Sequence, residues 1–197
     1  VRTREPAQLG ERRLVVERKA QTPLLQLAYK APAATDPAGP ALDLLMAVLV
    51  EGDSSRLDRS LVETQKLAIE VGGYWEESVD PSLAWFLVTL PEGGDLAALE
   101  QAFDAEIARV VADGVTEGEL RRAKNLAASG FWKSIATIDG KSRMLGHYEV
   151  IRGNWQALFT APAAWESVTR EQVQAAAAEH LQARRRTVGT LVSPVKP

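Results

Sequence analysis

The sequence predicts an α+β domain, an antiparallel β-sheet with helices packed on one face, and three observations carry that prediction. Stretches that alternate apolar and polar residues with period two come in pairs. Stretches of helical periodicity come in groups between them, giving the order ββαα, ββααα, αβ. Strands arriving in pairs, with the helices grouped apart from them, favour antiparallel pairing with the helices gathered on one side.

Arg13 to Arg18, RLVVER, and Leu24 to Lys30 read as two adjacent strands. In the second, Leu25, Leu27 and Tyr29 point one way, Gln26 and Lys30 the other. The Pro-, Ala- and Gly-rich stretch from Ala31 to Pro40 breaks the pattern and leads into ALDLLMAVLVEG. That helix is apolar on almost every face, so it is expected to be buried rather than amphipathic. Ser54 and Ser55 stand as N-cap residues of a short amphipathic helix with Leu57 and Leu61 on one face and Arg59 and Glu63 four apart, ending near Lys66. From Ala68 to Glu77 the period turns to two: Ile69, Val71, Gly73 and Trp75 share one side, Glu70, Gly72, Tyr74 and Glu76 the other.

Asp80-Pro81 supplies a turn, and the apolar run from Leu83 to Leu90 predicts an antiparallel partner strand with both faces covered. From Asp95 to Asp113, Leu96, Leu99, Phe103, Ile107 and Val110 line one face of an amphipathic helix, with Gly114 beyond its end. Thr116 to Glu119 has capping-box spacing and opens a helix with Leu120, Ala123, Ala127 and Phe131 inward. A further helix spans Gly140 to Arg152, with Met144, Tyr148 and Ile151 on one face. Another capping box at Thr169 to Gln172 precedes an alanine-rich helix ending near Arg184, and a last strand covers Arg186 to Ser193.

A chain of 197 residues fits one domain over 1–197, with 1–11 as an extended leader and 12–192 as the core. Folding at that size buries roughly 70% of the surface exposed by the unfolded chain. Mixed charge with a net of -3, and one short basic run, Arg184-Arg185-Arg186, excludes a phosphate-binding face, so nucleic acid is not an expected partner. No run approaches the roughly 20 apolar residues of a membrane span. The chain has no cysteine, hence no disulfide and no thiolate metal site. It opens at Val1 without the apolar core of a signal peptide, as a fragment or processed product would.

The stretch Gly52 to Glu77, GDSSRLDRSLVETQKLAIEVGGYWEE, resembles a helix-to-strand joint of the insulinase-like zinc peptidases, the pitrilysin and mitochondrial-processing-peptidase family. Ser54-Ser55-Arg56-Leu57 matches closely, and Leu61 to Ile69 fits in length and in Leu67-Ala68. The fit runs from about Arg12 to Val192. Where the family's noncatalytic half carries an arginine and, seven residues later, a tyrosine that touch substrate, this chain has Val62 and Ile69. The resemblance implies an inactive half of a zinc metalloendopeptidase, a lobe closing on a partner that bears the zinc motif and enclosing peptide substrate. It further implies zinc in the partner lobe rather than here, Ser54, Ser55 and Arg56 as substrate-chamber candidates, and a bacterial periplasmic setting. A non-proteolytic assembly or scaffold subunit of the same fold is the alternative.

Side-chain chemistry read directly agrees with an inactive half. The family's H-x-x-E-H motif needs two histidines one helical turn apart, with a glutamate between them to activate water. His147 and His180 are the only histidines, far apart in sequence, and are expected on helix flanks, partly solvated; a shared metal with Glu149 or Glu179 is a remote alternative. No catalytic residue and no metal ligand is assigned. There is no G-x-S-x-G elbow, and Gly72-Gly73 and Gly93-Gly94 lack phosphate-loop spacing. Trp75, Trp85 and Trp132 are candidates to line a peptide groove, with core packing the plainer role, whereas Trp155 and Trp165 fall where loops meet helices.

Overall fold

The structure, a computed structural model, describes residues 6–194. Five strands, β1 (Arg12–Glu17), β2 (Leu24–Ala31), β3 (Glu70–Trp75), β4 (Ser82–Thr89) and β5 (Arg186–Val192), form one sheet in the order β1-β5-β2-β4-β3. The helices are α1 (Gly39–Val50), α2 (Leu96–Asp113), α3 (Glu117–Ser134), α4 (Ile138–Arg152), α5 (Ala161–Ser167) and α6 (Arg170–His180). A π-helical turn (Asp58–Thr64) precedes β3, a 3₁₀ turn (Trp155–Thr160) leads into α5, and another (Ala183–Arg185) leads into β5.

The α+β class holds, with two corrections to the sheet. β1 and β2 are not neighbours: β5 lies between them, antiparallel to β2 and parallel to β1, so the sheet is mixed. The six-residue link from Arg18 to Pro23 steps across the width of an intervening strand, and two strand spacings of about 4.8 Å are within its reach. β4 is not covered on both faces. Ala84, Phe86 and Val88 are fully buried, but Leu87 is 46% exposed on the outer face, beside β2 residues Gln26 and Ala28. An unbroken apolar run did not distinguish a strand covered twice from one with a greasy open face.

The inner face carries the core. Leu25, Leu27, Tyr29, Ala84, Phe86, Val88, Val71 and Val188 pack beneath α1 and α2, and Tyr29, Phe86 and Phe103 form a chain of edge-to-face rings at 5.8 and 5.2 Å. Burying a leucine stabilises by about 2 kcal/mol, and α1 buries Leu42, Leu44, Leu45 and Leu49 completely. A helix apolar all round needs cover on several sides, which β3, α3, α5 and α6 provide. α2 buries Leu99, Phe103, Ile107 and Val110, is capped by Asp95 accepting from the Ala97 and Ala98 amides, and stops at Gly114, φ 71°. The capping boxes at Thr116 and Thr169 both form. α6 ends at His180, short of the expected Arg184, because a 3₁₀ turn brings the chain into β5.

Arg186, 2% exposed at the start of β5, ties the sheet to α2 and to the segment before β1. Its guanidinium donates to Glu11 at 2.6 Å, Glu100 at 2.9 Å, Asp104, and the Tyr29 hydroxyl at 3.2 Å, while Gln8 Nε2 donates to the Arg186 carbonyl at 2.7 Å. Burial alone would raise the Glu11 pKa, but Arg186 and Arg13 outweigh it and hold the carboxyl below its ordinary value.

Candidate functional site

The stretch matching the family's helix-to-strand joint builds differently at its start from the expected N-cap. Helical backbone begins at Arg56, two residues ahead of the π-helical turn, and the Ser55 carbonyl accepts from the Arg59 amide at 3.1 Å, but Ser55 Oγ is buried with no hydrogen-bond partner and Ser54 is exposed. Neither hydroxyl caps the helix. The turn is π-helical, and Lys66 at φ 54° stops it, where the sequence placed its end. Arg56 is no solvated arginine: its guanidinium forks onto Glu119 at 2.5 and 2.7 Å and onto the Gly114 carbonyl at 2.9 Å. Despite the cost of its own burial, that fork and the Thr116 cap hold the Glu119 carboxyl at about 2. Ser54 and Arg56 line a polar hollow with Arg59, Ser60, Glu106 and Arg109, whereas Ser55 lies beneath it. Val62 packs against the core, and Ile69, read as sharing a side with Val71 and Trp75, is 54% exposed just ahead of β3.

β3 is the last strand in the sheet, and among the described residues no strand pairs with its outer edge. Unpaired backbone N–H and C=O groups along such an edge are ready to accept another extended chain. Beside it runs a groove of about 470 Å³, floored by Asp43, Met46 and Val50 of α1, walled by Gly72, Gly73, Tyr74 and Trp75 of β3, and closed by Ala127 of α3 and Trp165 of α5. A side chain at Gly73 would meet the Trp85 carbonyl at 2.4 Å, so that position keeps the strand close to its neighbour. Of the three tryptophans named from sequence, Trp75 lines this groove, Trp85 lies on the opposite face of the sheet, and Trp132 stands 60% exposed elsewhere. Sequence reading missed Asp43, a lone carboxyl in an apolar helix. Its Oδ2 accepts from Trp165 Nε1 at 2.9 Å, and burial pushes its pKa up to about 7. An acid among nine buried residues of one helix was the available signal.

A second pocket of about 290 Å³ shares Asp43 and Trp165 with this groove. There Glu77 accepts from Arg152 and meets His147 Nε2 at 2.7 Å, and the Arg152 guanidinium sits 5.0 Å from the centre of the Tyr148 ring. These contacts pin α4 to the turn after β3. His147 is thus partly exposed, as expected, but His180 is not: it is 6% exposed, with Nε2 unpartnered, and burial lowers its pKa. Among the described residues no three His, Cys, Asp or Glu are grouped to hold a metal ion, and the two histidines lie on separate helices with separate surroundings. The residues present do not fit a zinc site.

Residues 1–127 match the family described as the peptidase M16 inactive domain. The chain belongs to that family. This M16 inactive domain is 31% identical over 145 residues to an uncharacterized zinc protease of Mycobacterium leprae, a match covering 73% of this chain and 32% of the relative. The inactive peptidase domain of a protein described as a zinc protease of Bordetella parapertussis superposes with a TM-score of 0.81 at 28% identity, covering 92% of this chain and 96% of that one. A protease from Helicobacter pylori shares the fold at a TM-score of 0.89 and 23% identity, covering 96% of this chain and 45% of that one. The M16 inactive domain therefore spans about a third of the mycobacterial relative and just under half of the H. pylori chain.

Proposed function

We propose that this M16 inactive domain is the noncatalytic lobe of a zinc metallopeptidase, which encloses peptide substrate and positions it against a partner lobe carrying the H-x-x-E-H zinc site. The observation that supports this reading is the free edge of β3 above a groove long enough for several residues of extended chain. A peptide lying along β3 would gain main-chain hydrogen bonds without regard to sequence, and its alternate side chains would fall against Met46, Val50 and Trp165. Holding a substrate straight against a separate catalyst contributes to rate through orientation, with no reacting group supplied by this chain. Ser54 and Arg56 then belong to the chamber wall rather than the peptide path, with Arg56 committed to Glu119.

The test adds this chain to its zinc-bearing lobe and follows cleavage of an extended peptide. KM should fall when the chain is present, and Ala127→Phe, which fills the groove from α3, should reverse that gain while leaving the circular dichroism spectrum unchanged. Equal cleavage with and without the chain refutes the reading. A second reading, a non-proteolytic assembly subunit of the same fold, is favoured by Val62 packed on the core and Ile69 standing at the surface, where the family's arginine and tyrosine would be. It predicts a stable complex with the partner lobe that cleaves nothing from a mixed peptide library.

A further inference from the structure

We propose that Asp43 makes the groove beside β3 selective for extended peptides bearing a basic side chain on the face turned toward α1. This rests on the reading that peptide lies along β3 and adds the class of side chain it accepts there.

Four features of the groove lead to it. Its ionisable lining is acidic: Asp43 and Glu51 face it, and no Lys or Arg does. Asp43 is held in place, since Trp165 Nε1 donates to Oδ2, and among the described residues nothing donates to Oδ1. Around that carboxyl the surface suits a long basic side chain: Met46 and Val50 present an apolar floor for its methylenes, and the Trp165 ring borders the site. The strand edge supplies the fourth feature. Val71 and Trp75 turn inward toward α1, so a chain paired with β3 carries every second side chain to the same side, into reach of Asp43.

The cations nearby are already engaged. Arg152 is bound by Glu77 and lies over Tyr148, and Arg143 pairs with Asp139. Neither arginine lines the groove beside β3; Arg143 lines the neighbouring pocket, and Arg152, close enough to favour the charged form of Asp43, is itself paired with Glu77. Dispersed surface pairs contribute little to binding, but a pair partly withdrawn from water and fixed by a second hydrogen bond contributes more.

The experiment measures fluorescence anisotropy of the 197-residue chain with N-acetylated, β-prone twelve-residue peptides at pH 8 in 0.15 M salt. One peptide carries lysine at alternate positions, one glutamine at the same positions, and one glutamate. The lysine peptide should bind about tenfold more tightly than the glutamine peptide, the scale of a charge-assisted hydrogen bond. Asp43→Asn, which retains an acceptor for Trp165, should bring the two within about twofold by weakening the lysine peptide. Glu51→Gln, at the exposed rim, should preserve most of the preference. Equal affinity for all three peptides, or a lysine preference that survives Asp43→Asn, overturns the assignment to Asp43 and leaves the groove reading standing. No binding of any peptide overturns both.

Discussion

Asp43→Asn should change the pH dependence of stability more than any other single substitution in α1. The carboxyl titrates near 3.8 when unfolded and near 7 in the folded chain, chiefly because burial disfavours its charge; the Trp165 hydrogen bond pulls the other way, Glu77 raises it further and Arg152 lowers it. A folded pKa above the unfolded one means that the group's contribution to stability is fully present below pH 3.8 and is lost as pH rises through about 7. Across that interval each pH unit removes about 1.4 kcal/mol, on the order of 4 kcal/mol in total. Asparagine keeps the shape and the acceptor for Trp165 but does not ionise, so the variant should escape this loss. Thermal unfolding followed from pH 4 to 8.5 should show the two proteins diverging with rising pH, the variant ending roughly 8 to 15 °C higher in Tm at pH 8. His180 works in the opposite direction: its lowered pKa adds stability above pH 6.5 that is lost on acidification, and it cancels from the comparison because both proteins carry it. Parallel pH profiles for the two proteins would refute the reasoning, because they would place Asp43 in water rather than against an apolar helix.

Replacing Arg186 by methionine removes the cation shared by Glu11, Glu100 and Asp104, leaving only Arg13 on the first two, and should cost about 3 kcal/mol in urea unfolding at pH 7. The loss should shrink as pH falls and Glu11, whose pKa Arg186 helps hold below its ordinary value, takes up its proton; a loss that stays constant to pH 3 would count against an electrostatic origin. Thr116→Ala removes a formed capping box and should cost about 1 kcal/mol, whereas Ser55→Ala removes a hydroxyl that bonds nothing and should cost less than about 0.5 kcal/mol. Equal costs at the two sites would mean that Ser55 caps its helix after all.

The contrast between Thr116 and Ser55 shows what was legible in the chain and what was not. A capping box is a local pattern: the Thr and the Glu three residues on recognise each other's backbone, so spacing alone is decisive. Ser55 has the right residue type before a helix, but a π-helical turn and tight packing sink its side chain into the core, and no local rule reports that. The strands and most helix faces followed from periodicity, because period is imposed by the backbone itself. The place of β5 between β1 and β2 did not, since it depends on a pairing across nearly the full length of the chain. The 3₁₀ turn at Trp155 and helix α5 fell in a stretch given no element from sequence, because they are short and held by a satellite cluster around Phe131, Tyr148 and Leu158. The motif match pointed to Ser54, Ser55 and Arg56. The free edge of β3, Asp43 and Trp165 meet only when α1, α5 and the sheet are assembled, the two hydrogen-bonded side chains standing 122 positions apart in the chain.

The most direct measurement is peptide hydrolysis by the purified 197-residue chain alone, with a chelator, with added zinc, and then with the proposed zinc-bearing lobe. Cleavage should be absent under every condition without that lobe and should begin when it is supplied. Hydrolysis by the chain alone that a chelator abolishes and zinc restores would contradict the account.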